Sequence, residues 1–301
     1  MKLEYTVKEE ENIRQILKEV FFMSDRLIVK LKHNNCISVN DEVAHIWTKI
    51  SKGDKLVVEE NFKEESLNIV PNENIKLTIL YEDEYMLIVD KAPGMPVHPS
   101  SLHFDDSLSN GVKAYYEKIG LKKLIRPVIR LDKDTSGIVI FAKNEYIQNQ
   151  LMYQMKTKSF KKKYIAILEG IVEKNEGTIK TNITRKEGSV IERMVSDKGQ
   201  TAISYYKVVK RLKNKNLTVV EYELETGRTH QLRLHSKYIN HPILGDSLYN
   251  KESSLINRQA LHSIEVKFIH PITKKEIIIK SDIPQDMKKI INDWLLEIIF
   301  I

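Results

Sequence analysis

Cys36 is the lone cysteine in 301 residues. No intrachain disulfide can form, and no cysteine-rich metal centre can be built. One reduced thiol fits a cytosolic protein, so a cytoplasmic location is expected. No run of about 18 apolar residues occurs, so no transmembrane helix and no membrane partner are expected. The opening, MKLEYTVKEEENIRQ, is acidic and lacks an apolar stretch, so no secretory leader is expected. No glycine-rich phosphate loop is present, which removes the usual signature of a nucleotide cofactor. No G-x-S-x-G elbow is present either. Internal repeats and low-complexity tracts are absent.

The rest of the composition is that of an ordinary folded chain, 42% hydrophobic and 30% charged, with a mean hydropathy of -0.35. Its length suits one large domain plus a small one. Lys and Arg outnumber Asp and Glu by 48 to 41, for a net charge of +7. That excess points to a polyanionic partner. It is unevenly placed. Residues 1–80 hold 12 basic and 14 acidic side chains, and the remainder holds 36 and 27. The positive field belongs to the later part of the chain.

Residues 1–60 read as a small α/β unit. IRQILKEVF and SDRLIVKLKHN have helical spacing, the second opened by a capping serine, Ser24. CISVND and KGDKLVV read as short strands with turns. Residues 61–76 are polar, contain a proline and read as a linker. Residues 77–301 alternate strand-like runs with turns: YMLIVDK, GIVIFAK, KYIAILEG, AISYYKVV, LTVVEYEL, IEVKFI and KEIIIKS. Helical patterns are fewer: SNGVKAYYEKIG, NEYIQNQLMYQM, THQLRLHSKYI and PQDMKKIINDWLLEI. Strands dominate without strict alternation. The expectation is an α+β fold with a large mixed, mostly antiparallel sheet and flanking helices.

Three constellations carry chemistry. In R-L-D-K-D-T-S-G, Arg130 to Gly137, the residue types are those of a tight turn before a buried strand. Arg130 and Asp132, two apart, would share a face in an extended segment. In F-K-K-K-Y-I-A-I-L-E-G, Phe160 to Gly170, Lys161, Lys162 and Lys163, with Lys156 just before, form the densest positive run. They read either as an edge strand guarded by lysines or as phosphate contacts leading to Tyr164. In E-T-G-R-T-H-Q-L-R-L-H, Glu225 to His235, a turn with Arg228 and His230 opens a helix on which Thr229 and Arg233 would share a face. His230 and His235 are five apart with no zinc-protease glutamate between them, so no metal is expected.

In this order, R-L-D-K-D-T-S-G, K-x-Y-x-A-x-x-x-G, T-G-R-T-H-Q-L-R-x-H and H-P-I-L-G-D resemble the signature set of RluA-type RNA pseudouridine synthases. The segment Tyr81 to Pro99 is similar to that family's opening strand and loop. The resemblance covers roughly residues 78 to 285. The unit 1–60 resembles the small RNA-binding domain named for ribosomal protein S-four. Two positions depart from the family pattern: Ile129 stands where histidine is usual before R-L-D, and Asn240 where glycine is usual before H-P-I-L-G-D. Asparagine tolerates positive φ, so a turn at Asn240 is expected to survive.

The resemblance implies a cofactor-free isomerase acting on large-subunit rRNA or tRNA. Asp132 matches the catalytic aspartate, Tyr164 the tyrosine against the flipped base, and Arg233 the residue that pairs with the aspartate. Arg130 matches the arginine that enters the vacated stack. Lys156, Lys161 to Lys163, Arg228 and His230 are the expected RNA contacts, with Lys122, Lys123 and Arg126 as further phosphate holders. The reaction suits these residue types. Uracil detaches, turns and reattaches through carbon, with no atom gained or lost, so one carboxylate suffices where a glycosidase needs two. Asp132 is either a nucleophile on ribose or a base. A guanidinium offsets the tendency of a buried carboxylate to protonate. Two other readings compete: a non-catalytic RNA-binding or ribosome-assembly factor, and a nucleoside hydrolase, which needs a second acid. A monomer is expected.

Overall fold

The structure is a computed structural model and describes residues 1–60 and 69–292. In chain order the elements are β1 (Lys2–Thr6), β2 (Glu11–Asn12), α1 (Ile13–Glu19), α2 (Asp25–His33), β3 (Ile37–Val39), β4 (Glu42–Val43), β5 (Lys49–Ile50) and β6 (Lys55–Glu59). Then come β7 (Thr78–Glu82), β8 (Met86–Lys91), α3 (Leu108–Lys118), β9 (Arg126–Pro127), β10 (Ser136–Ala142), α4 (Glu145–Lys156), β11 (Lys161–Glu169) and β12 (Glu176–Arg185). The chain continues through β13 (Arg193–Val195), β14 (Gln200–Leu212), β15 (Leu217–Leu224), α5 (Gln231–Tyr238), β16 (Leu261–Ile269), β17 (Glu276–Lys280) and α6 (Gln285–Asn292). Of the expected C-terminal helix, residues 293–298 lie outside the described residues.

The large sheet runs β13-β12-β14-β15-β11-β16-β10-β8-β7, with β17 on β16 and β9 on β10. Its pairings are antiparallel except β10 with β16, which is parallel and spans only Ser136↔His262 and Gly137↔Ser263. This is the expected mixed, mostly antiparallel α+β architecture. Both faces of its centre are buried, which explains the unbroken apolar runs of β8 and β10. Leu87, Val89, Val139 and Phe141 enter one core with Leu108, Val112 and Tyr116 of α3. Met86, Ile88, Ile138 and Ile140 enter the other with Tyr146, Ile147 and Leu151 of α4. Each such side chain contributes roughly 1.5–3 kcal/mol on burial.

The N-terminal sixty residues form a four-stranded sheet, β1-β6-β3-β4, with α1 and α2. Ser24 caps α2 as expected, its hydroxyl accepting from Leu27 N at 3.2 Å. The unit is docked on α4. Gln150 Nε2 donates to Phe21 O at 2.6 Å, and Phe22 stacks on Tyr153 with centroids 4.9 Å apart. Lys30 pairs with Glu145, and Arg26 lies 3.7 Å from the same carboxylate. Lys30 of α2 is therefore tied to Glu145, while Arg26 and Lys32 stay exposed. Residues 61–68 of the expected linker lie outside the described residues. Its end is held on α3: Ile69 is buried, and Asn110 Nδ2 donates to Val70 O at 2.7 Å.

Two fully buried histidines tie the sheet to its surroundings. His262 of β16 meets Ser136 of β10 and Ser281, at 2.9 and 3.1 Å. His235 of α5 meets Thr181 of β12 and Ser204 of β14, at 3.0 and 2.9 Å. Burial pushes both pKa values down to about 4. An unfolded histidine titrates near 6.5, so between these values the unfolded chain binds more protons, and stability falls as pH falls through that window. At pH 5 each histidine should have lost about 2 kcal/mol relative to neutral pH. Urea midpoints at pH 7 and pH 5 check this. Equal midpoints would mean that neither ring is held neutral.

No helix among the described residues is long and apolar enough to cross a membrane.

Candidate active site

The R-L-D-K-D-T-S-G segment is both a turn and a platform. Thr135 N donates to Asp132 O at 3.1 Å, closing the turn just before β10. Gly137 has φ +113, and an added Cβ would lie 2.3 Å from Ser263 O. Only glycine allows β10 to approach β16 that closely. Lys91, at the end of β8, holds the turn from beneath. Its buried ammonium donates to Ala92 O, Met95 O and Lys133 O at 2.8 to 2.9 Å. Burial lowers its pKa to about 7, while Asp134 and Asp132 push the other way. Gln259 Nε2 meets Thr135 Oγ1 at 3.2 Å, and Arg258 Nη1 meets Asp134 O at 3.3 Å.

Above this turn lies a cavity of about 600 Å3. Its lining includes Arg130, Asp132, Lys162, Tyr164, Arg228, His230 and Arg233. Seven of the thirteen residues given site roles from sequence thus meet in one place, from three separate stretches of chain. Asp132 Oδ2 lies 3.3 Å from Arg233 Nη1 and 3.8 Å from His230 Nε2. Tyr164 is buried, and burial, with the nearby Asp132 charge, raises its hydroxyl pKa, so it stays protonated. Arg130 is exposed at the rim.

The lysine run divides by strand alternation. Lys162 lines the cavity, whereas Lys161 and Lys163 are paired with Glu223 at 2.8 Å and Glu221 at 3.1 Å. Lys156 is exposed in the last turn of α4. Arg126, a candidate phosphate holder, is buried and cannot serve as one. Ile129, at the departure from the family pattern, packs in the core on the α4 side. Asn240 has φ +61, as expected of a glycine substitute. Helix α5 starts later than the motif suggested. His230 is its N-cap in a left-handed conformation, φ +57, so Thr229 lies outside the helix that carries Arg233.

Three residues of the site were not given roles from sequence. Asp246 is fully buried and binds Arg233 through both oxygens, at 2.8 Å to Nε and 2.7 Å to Nη2. Tyr249 lies under the Arg233 guanidinium, 5.0 Å from ring centroid to Cζ, and its hydroxyl meets His230 Nδ1 at 2.7 Å. Gln231 locks the T-G-R-T-H turn by accepting from Thr226 Oγ1 and Arg228 N, at 2.8 and 2.9 Å. The signal for Asp246 was present, since an acid in H-P-I-L-G-D is the natural partner of a buried arginine. Among the described residues no group of three or more His, Cys, Asp or Glu side chains is placed to hold a metal ion.

The arrangement is one carboxylate set against a guanidinium, beside an aromatic ring, under a basic rim. The family model for RNA pseudouridylate synthases matches residues 85–238, which include Asp132, Tyr164 and Arg233. The chain belongs to the RNA pseudouridylate synthase family. The RNA pseudouridine synthase YjbO of Bacillus subtilis is 37% identical over 90% of this chain and 95% of its own length. The ribosomal large subunit pseudouridine synthase D of Buchnera aphidicola is 33% identical over 93% of each chain. In structure, human RNA pseudouridylate synthase domain containing 1 aligns with a TM-score of 0.58 at 21% identity. It covers 70% of this chain and 85% of that one, and supports the fold. As an RluA-type synthase the protein isomerises uridine in RNA, which excludes the hydrolase and the purely binding readings.

Proposed function

We propose that the substrate is large-subunit ribosomal RNA and that Asp132 is the catalytic carboxylate. The observation that carries the second part is the Asp132–Arg233 contact at 3.3 Å inside a cavity of nucleotide size. The first part is supported by relatives named for the large ribosomal subunit.

The chemistry needs a uridine lifted out of its stack, at a cost of a few kcal/mol. Arg130, exposed at the rim, fills the gap with its planar group. Tyr164 receives the base, and such stacking is worth about 1–3 kcal/mol. The N1–C1′ bond then breaks with Asp132 acting on ribose, as nucleophile at C1′ or as base at C2′. The uracil turns and C5 bonds to C1′ as the Asp132–C1′ ester breaks, or as Asp132 returns its proton to C2′, and the C5 proton leaves while N1 gains one. Lys162, Arg228 and His230 contact the RNA from the cavity, and Lys156 reaches a phosphate beside it. The unit 1–60 acts as an S-four-like RNA anchor beside the catalytic domain of residues 77–301. The enzyme works as a cytoplasmic monomer.

Pseudouridine mapping of total RNA, from cells with and without this protein, tests the substrate. Loss of one or a few sites in large-subunit rRNA is expected. Loss confined to tRNA would overturn the rRNA assignment. No lost site in either RNA would overturn the proposal as a whole.

A further inference from the structure

The carboxylate of Asp132 is engaged on one side only. Arg233 Nη1 and His230 Nε2 both approach Oδ2, at 3.3 and 3.8 Å. Among the described residues no hydrogen bond reaches Oδ1. His230 is itself held from behind. Its Nδ1 lies 2.7 Å from the Tyr249 hydroxyl, and that hydroxyl accepts from Arg193 N at 2.8 Å.

A phenol has one proton to give. The Tyr249 oxygen already accepts from Arg193 N–H. If His230 Nδ1 also donated to it, the Tyr249 proton would be left without an acceptor in a buried place. The network closes only if Tyr249 donates to Nδ1. The neutral imidazole then carries its proton on Nε2, the nitrogen facing Asp132. The unusual backbone of His230, φ +57, is what aims the ring both ways at once.

We infer that the Arg193–Tyr249–His230 chain fixes the His230 tautomer, making His230 a positioning residue that aims its Nε2 proton at Oδ2 beside Arg233 and leaves Oδ1 to act on ribose. This rests on Asp132 being the catalytic carboxylate. The charged groups facing His230 are Asp132 before β10, Arg233 on α5, Arg193 on β13 and Asp246 after α5. Burial, with Arg233 and Arg193, lowers the His230 pKa against the pull of Asp132 and Asp246. The ring is therefore neutral at pH 7 and able to donate through Nε2 alone. A protonated ring cannot accept from Tyr249, so the Tyr249 proton also favours the neutral form.

The test uses the full-length enzyme and unmodified large-subunit rRNA transcribed with 5-tritiated uridine. Turnover releases tritium because C5 loses its hydrogen. Tyr249→Phe should lower kcat about tenfold, as expected for a disturbed general acid–base site. KM should change less than about twofold, and the acid limb of the kcat profile should move to higher pH. His230→Gln keeps a side-chain donor and His230→Leu does not, and both replace a residue at the same left-handed position. Activity should fall in the order wild type, Gln, Leu. Should Tyr249→Phe fail to fold, this pair decides. Unchanged kcat and pH profile in Tyr249→Phe, or equal activity in the two His230 variants, would overturn the inference. Asp132→Asn run in the same assay separates the two failures. An active Asp132→Asn removes the carboxylate assignment itself, whereas an inactive Asp132→Asn beside normal Tyr249 and His230 variants removes only the positioning role.

Discussion

Asp132→Asn is expected to lower turnover by at least about 10^3-fold, within the range that acid–base and nucleophilic groups contribute. The substitution keeps size and shape and removes only the charge. Arg233 keeps its two bonds to Asp246, so the cavity wall should stand. RNA binding comes mostly from phosphate contacts made elsewhere, so Kd should stay within about threefold. Single-turnover tritium release and filter binding measure the two quantities. Full activity in the variant would remove Asp132 from the chemistry. Lost activity with lost affinity would show that it holds RNA instead.

The second large effect is expected at Asp246. Its carboxylate is fully buried, binds Arg233 twice, and accepts from Leu248 N and Tyr249 N at 3.2 Å. Asp246→Ala leaves a buried guanidinium with one carboxylate partner, Asp132, and the Leu248 amide without an acceptor, while Tyr249 N keeps the residue-246 carbonyl at 3.3 Å. Breaking a buried ion pair from one side costs about 3–5 kcal/mol. For a chain of this size that lowers Tm by roughly 10 °C. Activity should fall further than folding alone explains, because Arg233 can swing toward Asp132 and Tyr249 loses its seat. Calorimetry and kcat at a temperature where both proteins are folded give the answer. An unchanged Tm would mean that the pair is replaced by other contacts.

Much of this was readable from the chain. The runs MLIVDK and GIVIFA announced central strands because helices cover both faces of the sheet there, leaving no room for polar alternation. Asp132 and Arg233 were expected to face each other, and they do, although 101 positions separate them. Strand β12 was missed because EGTIKTNITR buries only three side chains, Ile179, Thr181 and Ile183, and reads as polar. The lysine run was read as one patch. Strand alternation and acidic residues on β15, distant in sequence, divide it. The Lys30–Glu145 pair joins positions 115 apart, which no local pattern signals. The His230–Tyr249 contact depends on a left-handed histidine, a backbone choice that no composition or spacing signals.

The parallel seam between β10 and β16 is two residue pairs long. Beyond it β10 turns to β8 and β9, while β16 continues with β11 and β17. The sheet is thus two antiparallel parts joined by a short parallel seam, and the cavity lies beside it. Asp132 hangs from the first part, whereas Tyr164 and Arg233 belong to the second. The Asp132–Arg233 contact, at 3.3 Å, is thus also a bridge between the two parts of the sheet, so whatever fills the cavity between them touches a side chain rooted in each.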